Sequence, residues 1–127
     1  MGYTLFWDQL CFSDITYKNV VKLIPLVISP DVKFSIESWG FVIGMNDNDC
    51  AAIERTPSTL TYVKTNRLPY TKDVMKALIL MVEFGAAQNL GHDDHIMTLY
   101  LEALDEVHTK YPLVSYDLQK AYFMYQH

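Results

Sequence analysis

A run of apolar residues in the middle of the chain constrains the fold more than any other stretch. The segment from Thr59 to Ala87 reads as a polar strand, a short basic link over 66–69, and a helix that begins near Tyr70. Apolar residues fall on every face of this helix, so we expect it to be buried on most sides. Each large side chain that becomes fully buried contributes about 1.5–3 kcal/mol. The rest of the chain is therefore predicted to pack around this helix.

Length and composition predict a single globular domain over residues 1–127. Half of the 127 residues are hydrophobic and a fifth are charged, which is typical of a folded domain. The formal net charge is −5, and a negative protein is repelled by a phosphate backbone. General nucleic-acid binding is therefore not expected, although a local basic patch remains compatible with this charge.

The N-terminal residues and the cysteines favour a cytoplasmic protein, which means the host cytoplasm if the protein is viral. The first eight residues have neither a basic region nor a long apolar run, so no signal peptide is predicted. The central helix is too short and too charged to span a bilayer, so no membrane association is expected. Cys11 and Cys50 do not make a disulfide framework, and each is expected to be a buried structural residue.

The rest of the chain alternates between short strands and helices. Aromatic, β-branched and alternating apolar residues predict strands at Tyr3–Asp8, Val32–Glu37, Phe41–Met45, Ala51–Thr56 and Thr59–Thr65. We expect the last of these strands to pair antiparallel with the strand before it, because that connection is the shortest. The small and polar segment from Gly85 to Gly91 is predicted to be a loop.

Helical spacing and capping residues predict three more helices. The first is capped by Ser13 or Asp14, and the second is capped by Asp93 or Asp94 and runs to about Lys110. The third is capped by Ser115 and runs from Tyr116 to about Tyr125. Pro25 is expected to end the first of them, since a proline inside a helix costs about 3 kcal/mol. The sum is an α+β domain, with a small, mostly antiparallel sheet of four or five strands packed against two long and two short helices.

The link between the last predicted strand and the central helix is the main candidate for a binding site. It brings together two cations, amide and hydroxyl groups, and a tyrosine: Lys64, Thr65, Asn66, Arg67 and Tyr70. A helix N-terminus favours anions, an arginine can hold a phosphate through two hydrogen bonds, and a tyrosine can stack on a ring. The alternative is that Pro69 sets the start of the helix, Thr71 caps it, and the two cations are solvated or paired with surface acids.

Two motifs resemble those of a family of small uncharacterised proteins from phages and bacteria. The chain opens with Met-Gly-Tyr-Thr followed by Trp7, and the run Lys-Thr-x-Arg-x-Pro-Tyr over 64–70 leads into an apolar helix. Val63 stands where the family has cysteine, Leu68 where it has lysine, and Thr71 where it has aspartate. The resemblance implies a phage or viral setting and carries no activity.

Metal and catalytic motifs are weaker. The run His92-Asp93-Asp94-His95 holds metal-ligand residue types, but neighbours on a helix point about 100° apart, so helix capping is the preferred interpretation. Asn46-Asp47-Asn48-Asp49 lacks the glycine and the final glutamate of a calcium loop and is predicted to be a turn. We predict no metal site, no catalytic residue and no cofactor.

The chain is also rich in aromatic residues, with nine tyrosines and two tryptophans. The aromatic cluster of the C-terminal tail either docks the last helix or forms an interface, where tyrosine and tryptophan are enriched. Trp39 lies in a predicted turn where local burial is difficult, so an interface or ligand-stacking role is open to it.

These observations favour a non-enzymatic, phage-type binding protein. It would capture a small anionic, nucleotide-like molecule or a host protein, and one role open to it is to counter a host defence. The residues expected to bind are Lys64, Thr65, Asn66, Arg67, Tyr70 and Trp39. The alternatives are a small hydrolase or transferase that acts on a phosphorylated substrate, and a structural protein that assembles with itself. Homo-oligomerisation is open in each case.

Overall fold

The computed structural model describes residues 4–56, 61–65, 70–92 and 97–125, and these residues form an α+β fold, which confirms the predicted class. The described ranges contain strands β1 (Thr4–Gln9), β2 (Lys33–Ile36), β3 (Gly40–Gly44), β4 (Cys50–Glu54), β5 (Tyr62–Lys64) and β6 (Ala87–His92). Their helices are α1 (Asp14–Val27), α2 (Thr71–Glu83), α3 (Met97–Lys110) and α4 (Tyr116–Tyr125).

The six strands of the described ranges form two antiparallel three-stranded sheets, not one sheet of four or five strands. The first sheet has the order β5-β1-β6 and the second has the order β2-β3-β4. The predicted pairing of β5 with β4 is wrong, because β5 pairs with β1 and places Val63 opposite Leu5, both on the buried face. The Gln9 amide links the two sheets instead, donating to the carbonyls of Glu54 (2.8 Å) and Arg55 (2.9 Å).

Strand β6 occupies the segment that was predicted to be a loop. Its pairing with β1 matches Phe6 with Gly91 and Asp8 with Gln88, so two steps on β1 face three steps on β6. The extra residue is a β-bulge, and Asn89 within it has a positive φ of 55°. The bulge breaks the apolar alternation that identifies a strand in a sequence, which is why the prediction was wrong.

Helix α1 runs through Pro25 instead of stopping at it. Continuing the helix to Val27 buries that side chain almost completely. The Lys76 ammonium also donates to the Val27 carbonyl (2.8 Å) at the helix end, which satisfies an acceptor with no partner inside the helix. With 14 residues α1 is as long as α3, so three helices are of similar length and α4, with 10 residues, is the short one.

Helix α2 is the centre of the fold, as predicted. It contacts α1, α3 and β6, and its side chains are buried on all sides over most of its length, including the charged Asp73 and Lys76. The helix ends at Glu83, and Gly85, two residues later, has a φ of 79° that suits glycine. The amides of Gly85 and Ala86 donate to the carbonyls of Val82 and Met81, which reverses the chain into β6.

Helix α4 is held against the fold by a carboxylate and by aromatic packing. Glu83, at the end of α2, accepts hydrogen bonds from the amides of Val114 (3.0 Å) and Ser115 (2.9 Å) just before α4 begins. Phe123 is buried against Tyr100. These contacts support the docking interpretation of the C-terminal aromatics.

Candidate functional site

The outer face of the first sheet presents two exposed aromatic rings and a lysine. Residues alternate in β1 and β5, so Leu5 and Val63 point inward while Phe6, Tyr62 and Lys64 point to solvent. Phe6 and Tyr62 are direct cross-strand partners, with 42% and 49% of their surfaces exposed. Directly opposed side chains on neighbouring strands have Cβ atoms about 4.5–5.5 Å apart. We refer to these three residues as the Phe6–Tyr62–Lys64 face.

A glycine on the neighbouring strand makes room for one of the rings. Gly91 of β6 is paired with Phe6, and a Cβ atom added to Gly91 would lie 2.3 Å from Phe6 Cε2. The Phe6 ring therefore lies against the backbone of β6. One side of the ring is supported by the sheet, and the exposed remainder is available for stacking.

Lys64 supplies the positive charge of this face. It is exposed at the end of β5, two residues from Tyr62 and therefore on the same side of the strand. No carboxylate in the described ranges forms an ion pair with it. Asp8 is the exposed acid further along β1, and its carboxylate accepts a hydrogen bond from the Asn89 amide (2.8 Å).

The predicted site residues are divided between the surface and the core. Thr65 is completely buried, and its hydroxyl accepts a hydrogen bond from Thr71 (2.7 Å). Tyr70 is 1% exposed and is the N-cap residue of α2, the role that had been expected of Thr71. Burial, together with the nearby Asp49 and Cys50, raises the pKa of Tyr70 above its ordinary value. Of Lys64, Thr65 and Tyr70, Lys64 is therefore the residue that lies at the surface.

Trp39 is 45% exposed, but it lies at a different place from Tyr70. It immediately precedes β3, at the end where Gly40 pairs with Glu54, whereas Asp49 and Cys50, the neighbours of Tyr70, are at the other end. Four residue steps along a strand span about 13 Å. The structure therefore does not bring Trp39 and Tyr70 together.

Trp39 instead lines a cleft of about 220 Å³ beside Arg55. The Arg55 guanidinium pairs with Asp14 (2.6 Å) and lies 4.3 Å from the centre of the Tyr17 ring. The hydrogen bond and charge of Arg55 lower the pKa of Asp14 below its ordinary value. Arg55 is thus already neutralised, which makes this cleft a weaker anion site than the Phe6–Tyr62–Lys64 face.

Asn66 and Arg67, the remaining predicted binding residues, lie outside the described residues. The same is true of Asp93, Asp94 and His95 from the candidate metal motif. Within the described ranges no group of three or more histidine, cysteine or acidic residues is arranged to hold a metal ion. The 46–49 segment is a turn, as predicted, in which the Asn46 side chain accepts from two backbone amides.

The two cysteines differ from their predicted state. Cys11 is exposed and Cys50 is partly exposed, so neither is a buried structural residue. Cys11 lies in the connection between β1 and α1, and Cys50 is the first residue of β4, so neither has the protection of a strand interior.

The pair of Phe6 and Tyr62 was not predicted, although each strand carries a signal for it. Alternation along β1 predicts that Phe6 lies on the exposed face of the strand and that Leu5 and Trp7 lie on the buried face. Alternation along β5 likewise predicts that Tyr62 is exposed and Val63 is buried. The sequence does not indicate that β1 pairs with β5, and this pairing is what brings Phe6 next to Tyr62, 56 positions later in the chain.

No protein-family model, no curated protein and no solved structure matches this chain. Among the helices of the described ranges, none has both the length and the apolar character needed to cross a membrane.

Proposed function

We propose that the protein is a non-enzymatic binding protein that captures a small anionic, nucleotide-like ligand on the Phe6–Tyr62–Lys64 face. One observation carries the proposal: two exposed aromatic rings are direct cross-strand partners, and Lys64, which forms no ion pair with a carboxylate of the described ranges, lies on the same face of the sheet. An aromatic base can stack on the rings while Lys64 contacts a phosphate.

The chemistry of the face favours a small ligand over a long polyanion. Stacking of a base on an aromatic side chain is worth about 1–3 kcal/mol, which is a substantial part of a micromolar affinity of about 8 kcal/mol. The protein as a whole carries a net charge of −5, so each additional phosphate beyond the reach of Lys64 is repelled. In the phage setting that the sequence resemblance implies, the ligand would be a nucleotide of the host, and capturing it would counter a host defence.

Binding is tested with ligands that separate stacking from charge. The purified chain is titrated with AMP, ATP and cyclic dinucleotides, with adenosine as a ligand without phosphate and ribose 5-phosphate as a ligand without a base. Thermal stability reports binding, since a ligand at 100 times its Kd stabilises by about 2.7 kcal/mol. We expect a nucleotide to shift the unfolding temperature more than either half-ligand does.

Matched variants then locate the site. Tyr62→Ala should weaken nucleotide binding by about 1–3 kcal/mol, whereas Ile36→Ala, which truncates an exposed residue of the second sheet, should leave it unchanged. Lys64→Gln should weaken nucleotides but not adenosine, with Lys33→Gln on β2 as its control. Equal losses in the variants and their controls, or no shift with any nucleotide, would contradict the proposal.

The same samples decide between the alternatives. Chromatography of the ligand after incubation detects turnover, which the proposal excludes and the enzyme alternative requires. Sedimentation at several protein concentrations detects self-association in the absence of ligand, which the assembly alternative requires. If the partner is a host protein that binds this face, Tyr62→Ala should weaken its binding, and no nucleotide should shift the unfolding temperature of the wild type.

A further inference from the structure

A second cavity lies between β6, the end of α2 and helix α4, at the edge of the first sheet that is remote from β5. Its volume is about 580 Å³, within the range of small-molecule sites. The walls are mainly apolar, and the residues that matter for the argument are Asn89, Leu90, Leu118, Gln119, Ala121 and Phe123. None of the residues that line this cavity belongs to the Phe6–Tyr62–Lys64 face.

Gln119, one of the residues that line the cavity, carries a buried polar atom with no partner among the described residues. Gln119 is 5% exposed. Its amide nitrogen donates to the Ser115 hydroxyl (2.8 Å) and to the Ile79 carbonyl (3.3 Å). Its oxygen, Oε1, is buried, and no donor in the described ranges reaches it. A buried acceptor without a partner is destabilising, so a donor that reached it would be strongly favoured.

A 180° flip of the Gln119 side-chain amide would not give Oε1 a hydrogen-bond donor. The Ser115 hydroxyl already donates its hydrogen to Glu83, so it can only accept from Gln119. The Ile79 carbonyl is also an acceptor. A turned amide would place its oxygen against these two groups, which would replace two hydrogen bonds by repulsion. The orientation of the amide is therefore fixed, and Oε1 has no donor among the described residues.

The strand on the opposite wall is shaped by the β-bulge. Because the bulge inserts one residue into β6, Gln88 and Asn89 are both exposed while Leu90 is buried. Asn89 adopts its positive φ of 55° at this point. Bulges at sheet edges commonly redirect side chains next to binding sites. Here the bulge gives an apolar cavity a polar rim of two amides.

We propose that this cavity binds a small, mostly apolar molecule that carries one hydrogen-bond donor, a hydroxyl or an N–H, which pairs with Gln119 Oε1. A small molecule fits better than a helix of a partner, because the backbone N–H groups within a helix are already hydrogen-bonded. The oxygen is buried, so a donor bound in the cavity reaches it only after neighbouring side chains move.

The test compares two probes that differ in the donor alone, 2-naphthol and its methyl ether, 2-methoxynaphthalene. The full chain, labelled with ¹⁵N, is titrated with each and followed by NMR. We expect 2-naphthol to bind at least about fivefold more tightly than the ether, with the largest shifts in β6 and α4. Equal affinities in the wild type would overturn the proposal, since they would mean that Oε1 is not engaged or is satisfied by water.

Two variants and two controls complete the experiment. Gln119→Met should remove the preference for 2-naphthol, whereas Gln88→Met, the same change at the exposed rim, should keep it. Ala121→Phe should abolish binding of both probes by filling the cavity, whereas Tyr62→Ala should leave both affinities unchanged. Binding that survives Ala121→Phe would overturn the proposal.

Two further outcomes decide the matter if Gln119→Met does not fold or if the cavity is covered in solution. The wild-type preference for 2-naphthol together with its loss in Ala121→Phe would support the proposal without the Gln119 variant. A dimer in sedimentation that Ala121→Phe converts to monomer would overturn it, because a second copy would then be the occupant.

Discussion

The ring of Phe6 lies against the backbone of Gly91, its direct partner across the β1–β6 pair. The contact is close enough that a single methyl group on Gly91 would meet three ring atoms, the nearest at 2.3 Å. A glycine in a strand weakens it, and an aromatic ring over that glycine compensates by covering the exposed backbone. The contact between Phe6 and Gly91 thus stabilises the first sheet and also fixes the orientation of the Phe6 ring in the proposed stacking surface.

Gly91→Ala is therefore expected to destabilise the protein by about 1 kcal/mol, because the Phe6 ring must move off β6. The same substitution in a Phe6→Ala background should be neutral or slightly stabilising, since Gly91 does not have a positive φ and alanine restricts the unfolded chain. Urea unfolding of the four proteins gives the coupling energy, expected to exceed about 0.5 kcal/mol. An equal loss in both backgrounds would mean that the ring and the glycine do not interact.

Much of the fold follows from local sequence patterns. The ends of α4 and the turn at 46–49 were predicted, and the buried character of α2 followed from its all-round apolar composition. The errors have a common cause, which is that tertiary contacts outweigh local signals. Lys76 donates a hydrogen bond to the Val27 carbonyl at the end of α1, which runs through Pro25. Pairing with β1 makes a strand of the glycine-containing segment that follows α2.

The candidate site was harder to predict because it depends on strand pairing. The motif over 64–70 is continuous in sequence, yet Lys64 points to solvent while Thr65 and Tyr70 are buried. The residues that join Lys64 on one face, Phe6 and Tyr62, come together only through the β1–β5 register. A contiguous motif at a strand end alternates between faces, so half of its side chains point away from any single ligand.

Lys76 and Lys72 provide a matched pair for measuring the value of a buried cation. Both reach Glu106 from α2, but only Lys76 is almost fully buried and donates to the Val27 carbonyl. Lys76→Met should destabilise by about 1–3 kcal/mol, because it leaves a buried carbonyl without a donor. Lys72→Met, at a more exposed position, should cost less than about 1 kcal/mol. Similar losses in urea unfolding would show that the Val27 contact contributes little.

Glu83 is expected to control the docking of α4. Its carboxylate receives the amides of Val114 and Ser115 and the Ser115 hydroxyl. Hydrogen bonds to a charged group are worth about 1.5–3 kcal/mol each, so Glu83→Ala should lower stability by at least about 2 kcal/mol. Hydrogen exchange should show α4 losing protection before α2 does.

The control for this variant is Glu102→Ala, which removes an exposed carboxylate of α3 that pairs at 3.4 Å with Lys72. Its effect should stay below about 1 kcal/mol, and the protection of α4 should be unchanged. If Glu83→Ala lowered the protection of all helices equally, α4 would not be a separately anchored element.

Acid should weaken the ion-pair network between α2 and α3 in a predictable direction. Burial raises the pKa of Glu106, but the hydrogen bonds and charges of Lys72 and Lys76 outweigh it, so the folded pKa is below the ordinary value of 4.5. A carboxyl with a depressed pKa stabilises the fold fully above its unfolded value, and this contribution is lost as the pH falls through the folded value.

Glu106→Gln should therefore cost up to about 1 kcal/mol near pH 6, because the pair is partly exposed and screened. The cost should shrink as the pH falls below 4.5, the ordinary value of the carboxyl. Asp14, whose pKa is also lowered, adds the same pH dependence to both proteins and cancels in the difference. Urea unfolding of both proteins from pH 3 to 6 measures that difference. A difference that stayed constant across this range would contradict the expected depression of the Glu106 pKa.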